Sequence, residues 1–198
     1  MGAAVALSIK SNTGVSPISC PPYVFSEFFA PSVGQATIIM HVLFVIIQII
    51  LLGRKFEKRQ LLQIFVGIVF GLFIDLFMYI FDFCNPQNYL QQFILLILSI
   101  IIMAVGIFAE VSSKAVYLAG EGLMLAVAQV TEKDFSKVKI VCDCSLVALS
   151  AVCSFFFFDG KIIGIREGTL ISALVTGYLI GFCKKYLKFI PNFVNRAG

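Results

Sequence analysis

Unbroken apolar runs separated by short polar joints dominate this chain: residues 36 to 53, 61 to 80, 90 to 108, 138 to 158 and 169 to 182, the last reaching back toward Glu167. A helix needs about 20 apolar residues to cross the hydrocarbon core of a bilayer. Backbone polar groups in lipid must be satisfied internally, so runs of this length are read as helices, and the expected fold class is an all-α polytopic membrane helix bundle. Composition agrees, with 60% hydrophobic and 13% charged residues and a mean hydropathy of +0.99. A soluble domain has about half and about a quarter, respectively. The +4 formal charge therefore bears on orientation in a bilayer, and no nucleic-acid partner is expected.

Cys142, Cys144, Cys153 and Cys183 lie within apolar runs, where a free thiol behaves as a small hydrophobe. No disulfide framework follows. Cys142 and Cys144 lack zinc-type spacing and His41 is the single histidine, so neither a metal nor a cofactor is expected. The opening "MGAAVALSIK" has no basic leader, and Ala6 stands where a myristoylation signal needs Ser or Thr. It is too short to span, so a truncated first helix is expected.

Two shorter segments, 17 to 30 and 117 to 130, are in the length class of re-entrant or interfacial pieces. If both enter and return, Arg54, Lys55, Lys58, Arg59, Lys114, Lys133, Lys137, Lys139, Lys184, Lys185, Lys188 and Arg196 share one face, twelve against Lys10, Lys161 and Arg166 opposite. If both span, the split becomes eight to seven, which removes the usual asymmetry of basic residues. The layout expected is therefore six helices with both termini cytoplasmic. The first repeat covers 1–83, with a broken segment at 11–30 and helices at 36–53 and 61–80. The second covers 84–198, with a helix at 90–108, a broken segment at 117–130, helices at 138–158 and 167–183, and a basic tail.

A shift of 104 sets Gly2 on Gly106, Ser8 on Ser112, Lys10 on Lys114 and Ser32 on Ser136, and a shift of 106 sets Gly71 on Gly177 and Ile74 on Ile180. Three spans per half, an odd number, make the second half inverted, as in many transporters. Non-helical backbone at membrane depth is tolerated only beside protein or a water-filled cavity. "NTGVSP" and "LAGEG" would line that cavity, which makes Gly14, Ser16, Pro17, Gly120, Glu121 and Gly122 candidates for binding a substrate or ion.

Glu121 leads these candidates, because an ionisable group in a membrane segment is costly and marks function. The alternative is a segment lying flat at the interface with Glu121 wet. Asp75 is the next, with a structural role favoured over binding. Gln63, Gly67, Gly71 and Asp75 recur every four positions, and Thr169, Ala173, Gly177 and Gly181 form the matching small-residue packing stripe. His41 shares a face with Gln48, seven residues on, and reads as a hydrogen-bonded histidine between helices or a member of a proton relay. Asp143, one turn after Lys139, is read as an intrahelical pair near the cytoplasmic surface. Lys10 and Lys114 either attract an anionic substrate or snorkel to opposite interfaces. No HExxH, GxSxG or nucleotide-binding glycine motif is present, and an enzyme is not expected.

"ALSIKSNTGVSPISCPPYVFSE", "LLGRKFEKRQLLQIFVGIVFGLFIDLFM", "AGEGLMLAVAQVTEKDFSKVKIVCDCSLV" and "GIREGTLISALVTGYLIGF" resemble the YczE/YyaS/YitT group of bacterial integral membrane proteins over nearly the whole chain. The most specific pieces are Gly14 to Pro17, Phe70 to Asp75 and Arg166 to Thr169. The resemblance implies a multi-helix fold in the bacterial cytoplasmic (plasma) membrane and supplies no substrate. Two functions follow as expectations: a small-solute transporter or channel-like permease, or a non-transporting membrane subunit that binds substrate for an energising complex or scaffolds a biosynthetic or secretion system. The partners expected are the lipid bilayer, a small solute and a second copy of the chain.

Overall fold

Polar capping at the joints decides where the helices begin. In the computed structural model, which describes residues 1–113 and 116–186, all regular structure among the described residues is helical. The α-helices are α1 (Gly2–Lys10), α2 (Cys20–Phe29), α3 (Val33–Leu52), α4 (Leu62–Ile80), α5 (Tyr89–Ser113), α6 (Ala119–Thr131), α7 (Phe135–Phe157) and α8 (Glu167–Tyr186). A 3₁₀ turn, Pro17–Ser19, leads into α2, where Pro21 and Pro22 occupy the first turn at no cost in hydrogen bonds. Ser32 and Gln35 close a capping box at the start of α3. Asp134 caps α7 by accepting from the Ser136 N–H.

Both short helices end in the same way. Ala30 after α2 (φ 62°) and Glu132 after α6 (φ 56°) are left-handed, and in each case the cap of the next helix follows two residues later. The chain therefore reverses abruptly out of each half-length helix. α2 runs from buried Pro17 and Cys20 to exposed Phe28 and Phe29, and α6 from buried Ala119 to exposed Val130. Their N-terminal ends meet inside the molecule, where Ile18 covers Gly120 so closely that a Cβ there would lie 2.3 Å from the isoleucine Cδ1.

Helix packing comes in matched pairs. α3 lies on α4 and α7 on α8; α1 lies on α4 and α5 on α8; α2 touches α3 and α7 while α6 touches α7 and α3; α1 and α5 pack on each other. The close approaches match as well. A Cβ on Gly71 would meet the Gly34 carbonyl and Ile38, and one on Gly177 would meet Ile140 and the Ser136 carbonyl. Gly34 and Ile38 thus correspond to Ser136 and Ile140, an offset of 102. This corrects the offset of 104 for this region: the cap equivalent to Ser32 is Asp134, and Ser136 answers to Gly34. The buried residues of α7, which are Val138, Lys139, Asp143, Val147, Ser150 and Ser154, each fall 102 positions after a buried residue of α3, namely Ala36, Thr37, His41, Val45, Gln48 and Leu52.

Polarity is distributed as a lipid solvent requires. Thr37, His41, Gln48, Gln63, Glu121, Lys139, Asp143 and Ser150 are all buried, whereas Ile39, Leu43, Ile46, Ile50, Phe65, Leu72 and Val141 are exposed. An apolar exterior of this extent is the signature of a surface made for membrane contact. Val33–Lys55, Lys58–Phe83, Tyr89–Ser112 and Phe135–Phe157 are long and apolar enough to cross a bilayer. The apolar stretch at Glu167–Cys183 is shorter. Among the described residues, four helices are thus long and apolar enough to span, where five were expected.

Candidate functional site

The two half-length helices, α3 and α5 enclose a small cavity. Ser19 and Pro22 line it from the α2 side, Thr37, His41 and Phe44 from α3, Phe70 from α4, Met103 from α5, and Leu118 and Glu121 from the start of α6. About 10 Å³ is open to the centre of a water molecule, about the least that one water needs. Glu121 is 1% exposed, which removes the reading in which it lies wet at the interface. Its Oε1 has no hydrogen-bond partner. His41 is also buried; its Nδ1 has no partner, its ring stacks on Phe70 at 5.6 Å, and Gly67 provides the space it occupies.

Behind Glu121 lies a buried charge cluster. The Lys139 ammonium on α7 is 3.1 Å from the Asp143 carboxylate, and both side chains are 2% exposed. Lys139 Nζ also approaches Met124 Sδ at 3.8 Å, and its charge acts on Glu121. Glu110 of α5 accepts from the Leu118 N–H at the α6 start and senses the charges of Glu121 and Lys139. The pair expected at the cytoplasmic surface is therefore real but enclosed. An i,i+4 pair of opposite charge looks the same in sequence whether it faces water or the bundle interior, and here burial of the α3-equivalent face decides.

Gly120 and Glu121 share this region with Ser19, whose hydroxyl accepts from Ser16 at 3.0 Å, and Pro17 starts the turn that delivers Ser19. Gly122 faces elsewhere. A Cβ there would strike the side chains of Gln63 and Gln48. Gln48 donates to Gln63 at 3.0 Å and to the Ala119 carbonyl at 2.9 Å, which ties α3 and α4 to the α6 start. On the far side of this pair, an open cleft of about 490 Å³ is lined by Gln60, Gln63, Tyr117, Gln129, Lys133 and Asp134 among others.

Gly14 and Asp75 do not reach the cavity. Gly14 packs on the first turn of α8 against Thr169. Asp75 accepts from Ser32 Oγ at 2.6 Å and from the Gly34 N–H at 2.8 Å, which makes it a cap for α3. Asp75→Ala is expected to lower stability by about 2–3 kcal/mol, the scale of hydrogen bonds to a charged group, as read by denaturant unfolding in mild detergent. A loss below about 0.5 kcal/mol would refute the capping role. Gly67 and Gly71 hold α3 against α4, and Gly177 holds α7 against α8. Thr169 and Ala173 are buried on the α8 stripe, and Gly181 lies nearest Ser136. Lys10 pairs with Asp82 at 2.7 Å; Lys114 lies outside the described residues.

Sequence reasoning passed over Thr37, gave Ser19 and Glu110 no part in the site, and found the Lys139–Asp143 pair without its burial. A usable signal existed in the offset of 102, which sets Ser19 on Glu121, Thr37 on Lys139, His41 on Asp143 and Gln48 on Ser150. Among the described residues no group of three or more potential ligands could hold a metal ion. No curated protein and no solved structure matches the chain. A family model matches residues 1–185, and the chain belongs to that family, a family of unknown function, DUF6198.

Proposed function

We propose that this chain is a small-solute transporter or channel-like permease of the bacterial cytoplasmic membrane, built from two inverted three-helix repeats, with Glu121 at its site. The observation that carries this reading is the meeting of two half-length helices, N-terminus to N-terminus, over a small, mostly apolar cavity lined by the polar side chains of Ser19, Thr37, His41 and Glu121. Transporters place substrate and ion sites at such broken elements near the bilayer midplane. The matched helix pairs and the offset of 102 between α3 and α7 support the repeat. Removing the buried Lys139 from the twelve basic residues leaves eleven against three, which still favours cytoplasmic termini. Kinship to the YczE/YyaS/YitT group is part of the same proposal.

A non-transporting subunit would use the Thr169–Gly181 stripe as a face for a partner helix. α7 takes up the Gly177 part of that stripe within the chain, through Ile140 and Ser136, so it lends that alternative little. The test has two arms. Single cysteines at positions 133 and 161, in a background without native cysteines, are expected to label from the cytoplasm and from outside, respectively; the opposite pattern would overturn the inverted layout. Proteoliposomes challenged with gradients of small neutral and charged solutes are expected to equilibrate at least one faster than empty vesicles, and Glu121→Gln to abolish the gain. A protein that moves none and holds a stoichiometric partner in mild detergent would establish the subunit reading.

A further inference from the structure

We infer that Glu121 is a proton-binding site, loaded and unloaded through the cavity that its side chain lines, and that the proton is the coupling ion of the transporter; the second clause rests on the reading proposed above. The inference starts from a charge balance. Glu110, Glu121 and Asp143 bring three carboxyl groups to one region; the Lys139 ammonium there is held by Asp143 at 3.1 Å, and neither it nor the Met1 amino group forms a direct ion pair with Glu121 among the described residues. An uncompensated charge in a sealed, lipid-surrounded interior is expensive, and a carboxyl there escapes the cost by taking up a proton.

Geometry selects Glu121 among the three. Asp143 holds the Lys139 ammonium at 3.1 Å. Glu110 accepts from the backbone N–H of Leu118. Glu121 differs from both in lining the cavity; it is 1% exposed and its Oε1 has no hydrogen-bond partner. Its carboxyl is a seat for a proton, and the cavity that it lines, with space for about one water, is enough to deliver one.

The anionic form is accommodated too. Glu121 lies in the first turn of α6, where the positive end of the helix dipole favours a carboxylate. The groups facing it from the packed elements are the Met1 amino group before α1, His41 of α3, Glu110 of α5, and Lys139 and Asp143 of α7. From α2 and α4 the cavity receives Pro22 and Phe70, and from the preceding turn Ser19, none of which is charged.

The offset between the halves sharpens the assignment. The position equivalent to Glu121 is Ser19, and those equivalent to Lys139 and Asp143 are Thr37 and His41. Ser19, Thr37 and His41 therefore present hydroxyls and an imidazole to the cavity, whereas Glu121, 102 positions after Ser19, presents a carboxyl with the Lys139–Asp143 ion pair behind it.

Infrared difference spectroscopy of the full chain in liposomes, comparing acid with alkaline buffer in H₂O and D₂O, tests this directly. The expected result is a carbonyl-stretch band of a protonated carboxyl in apolar surroundings, present at acid pH and lost at alkaline pH. Glu121→Gln removes the band and Glu110→Gln retains it. If Glu121→Gln does not fold, Glu121→Asp supplies the check by moving the band while Glu110→Gln leaves it in place. A wild type without a pH-dependent carboxyl band overturns the inference, as does a band indifferent to Glu121 substitution or one removed by Glu110→Gln. The readout needs no solute. A band that titrates in a protein that moves nothing sinks the transporter and leaves the proton site standing; solute movement without the band does the reverse.

Discussion

Lys139→Met is expected to cost about 3–5 kcal/mol of stability, the scale for removing one partner of a buried ion pair. Lys139 is unusual in being fully enclosed: its ammonium meets Asp143 at 3.1 Å with 2% exposure on both sides, and it also acts on Glu121. Methionine fills much the same volume and is at home beside Met124, so packing changes little and the cost measures electrostatics. Two carboxyl groups lose their counter-charge together. They can shed the penalty by binding protons, so the loss should be smaller in acid than in alkaline buffer. Adding Asp143→Leu should restore most of the stability, since an apolar pair often replaces a buried ion pair without loss; recovery stays incomplete because Glu121 remains without its neighbour. Denaturant unfolding in mild detergent of the single and double variants closes the cycle. A Lys139→Met protein within about 1 kcal/mol of wild type would mean that the pair is wet and that the enclosed cluster behind Glu121 does not exist as described.

What could be read in advance follows from which properties periodicity carries. The long apolar runs needed only length, and α3, α4, α5 and α7 appear where they were expected. The stripe of Gln63, Gly67, Gly71 and Asp75 was legible because glycines at one-turn spacing have few uses in a membrane helix other than close approach, and Gly71 does meet α3. Glu121 stood out by its cost in lipid. The cluster around it was hidden for a different reason. The two halves share burial but not identity, since Thr37 answers to Lys139, His41 to Asp143 and Ser19 to Glu121. An alignment by identity therefore settled on Ser32 with Ser136, two residues away from the register that the caps and the Gly71 and Gly177 contacts impose. The capping role of Asp75 needed the α3 N-terminus to lie beside the end of α4, a tertiary fact that residue spacing along α4 does not contain.

Gly14→Ala should cost about 2–6 kcal/mol when backbone strain of about 1–3 kcal/mol and overpacking of about 1–3 kcal/mol are combined. Gly14 has φ +118°, and a Cβ there would lie 2.4 Å from Thr169 Oγ1 and 2.9 Å from the Arg166 backbone nitrogen. Neither obstacle is the loose end of a long side chain. The surrounding clasp is made of backbone: Val15 N–H donates to the Gly164 carbonyl at 2.8 Å, Gly168 N–H donates to the Thr13 carbonyl at 2.9 Å, and the Arg166 guanidinium donates to the Asn12 carbonyl at 2.7 Å. The Gly168 bond satisfies an amide in the first turn of α8 and the other two tie the loop before α8 to residues 12–15, so pushing Gly14 away loosens the α8 end and the 3₁₀ turn at Pro17–Ser19 together. Ser19 lines the cavity beside Glu121; the substitution should therefore disturb the Glu121 carboxyl band as well as stability. Gly53→Ala is the matched control. It too has a positive φ, +50°, with ψ −117°, but nothing lies within 4 Å of the added carbon, so it should lose only backbone strain of about 1–3 kcal/mol. Unfolding in mild detergent compares the two. Equal losses would show that the clasp yields to an extra methyl group, and that the turn carrying Ser19 is not fixed by its contact with α8.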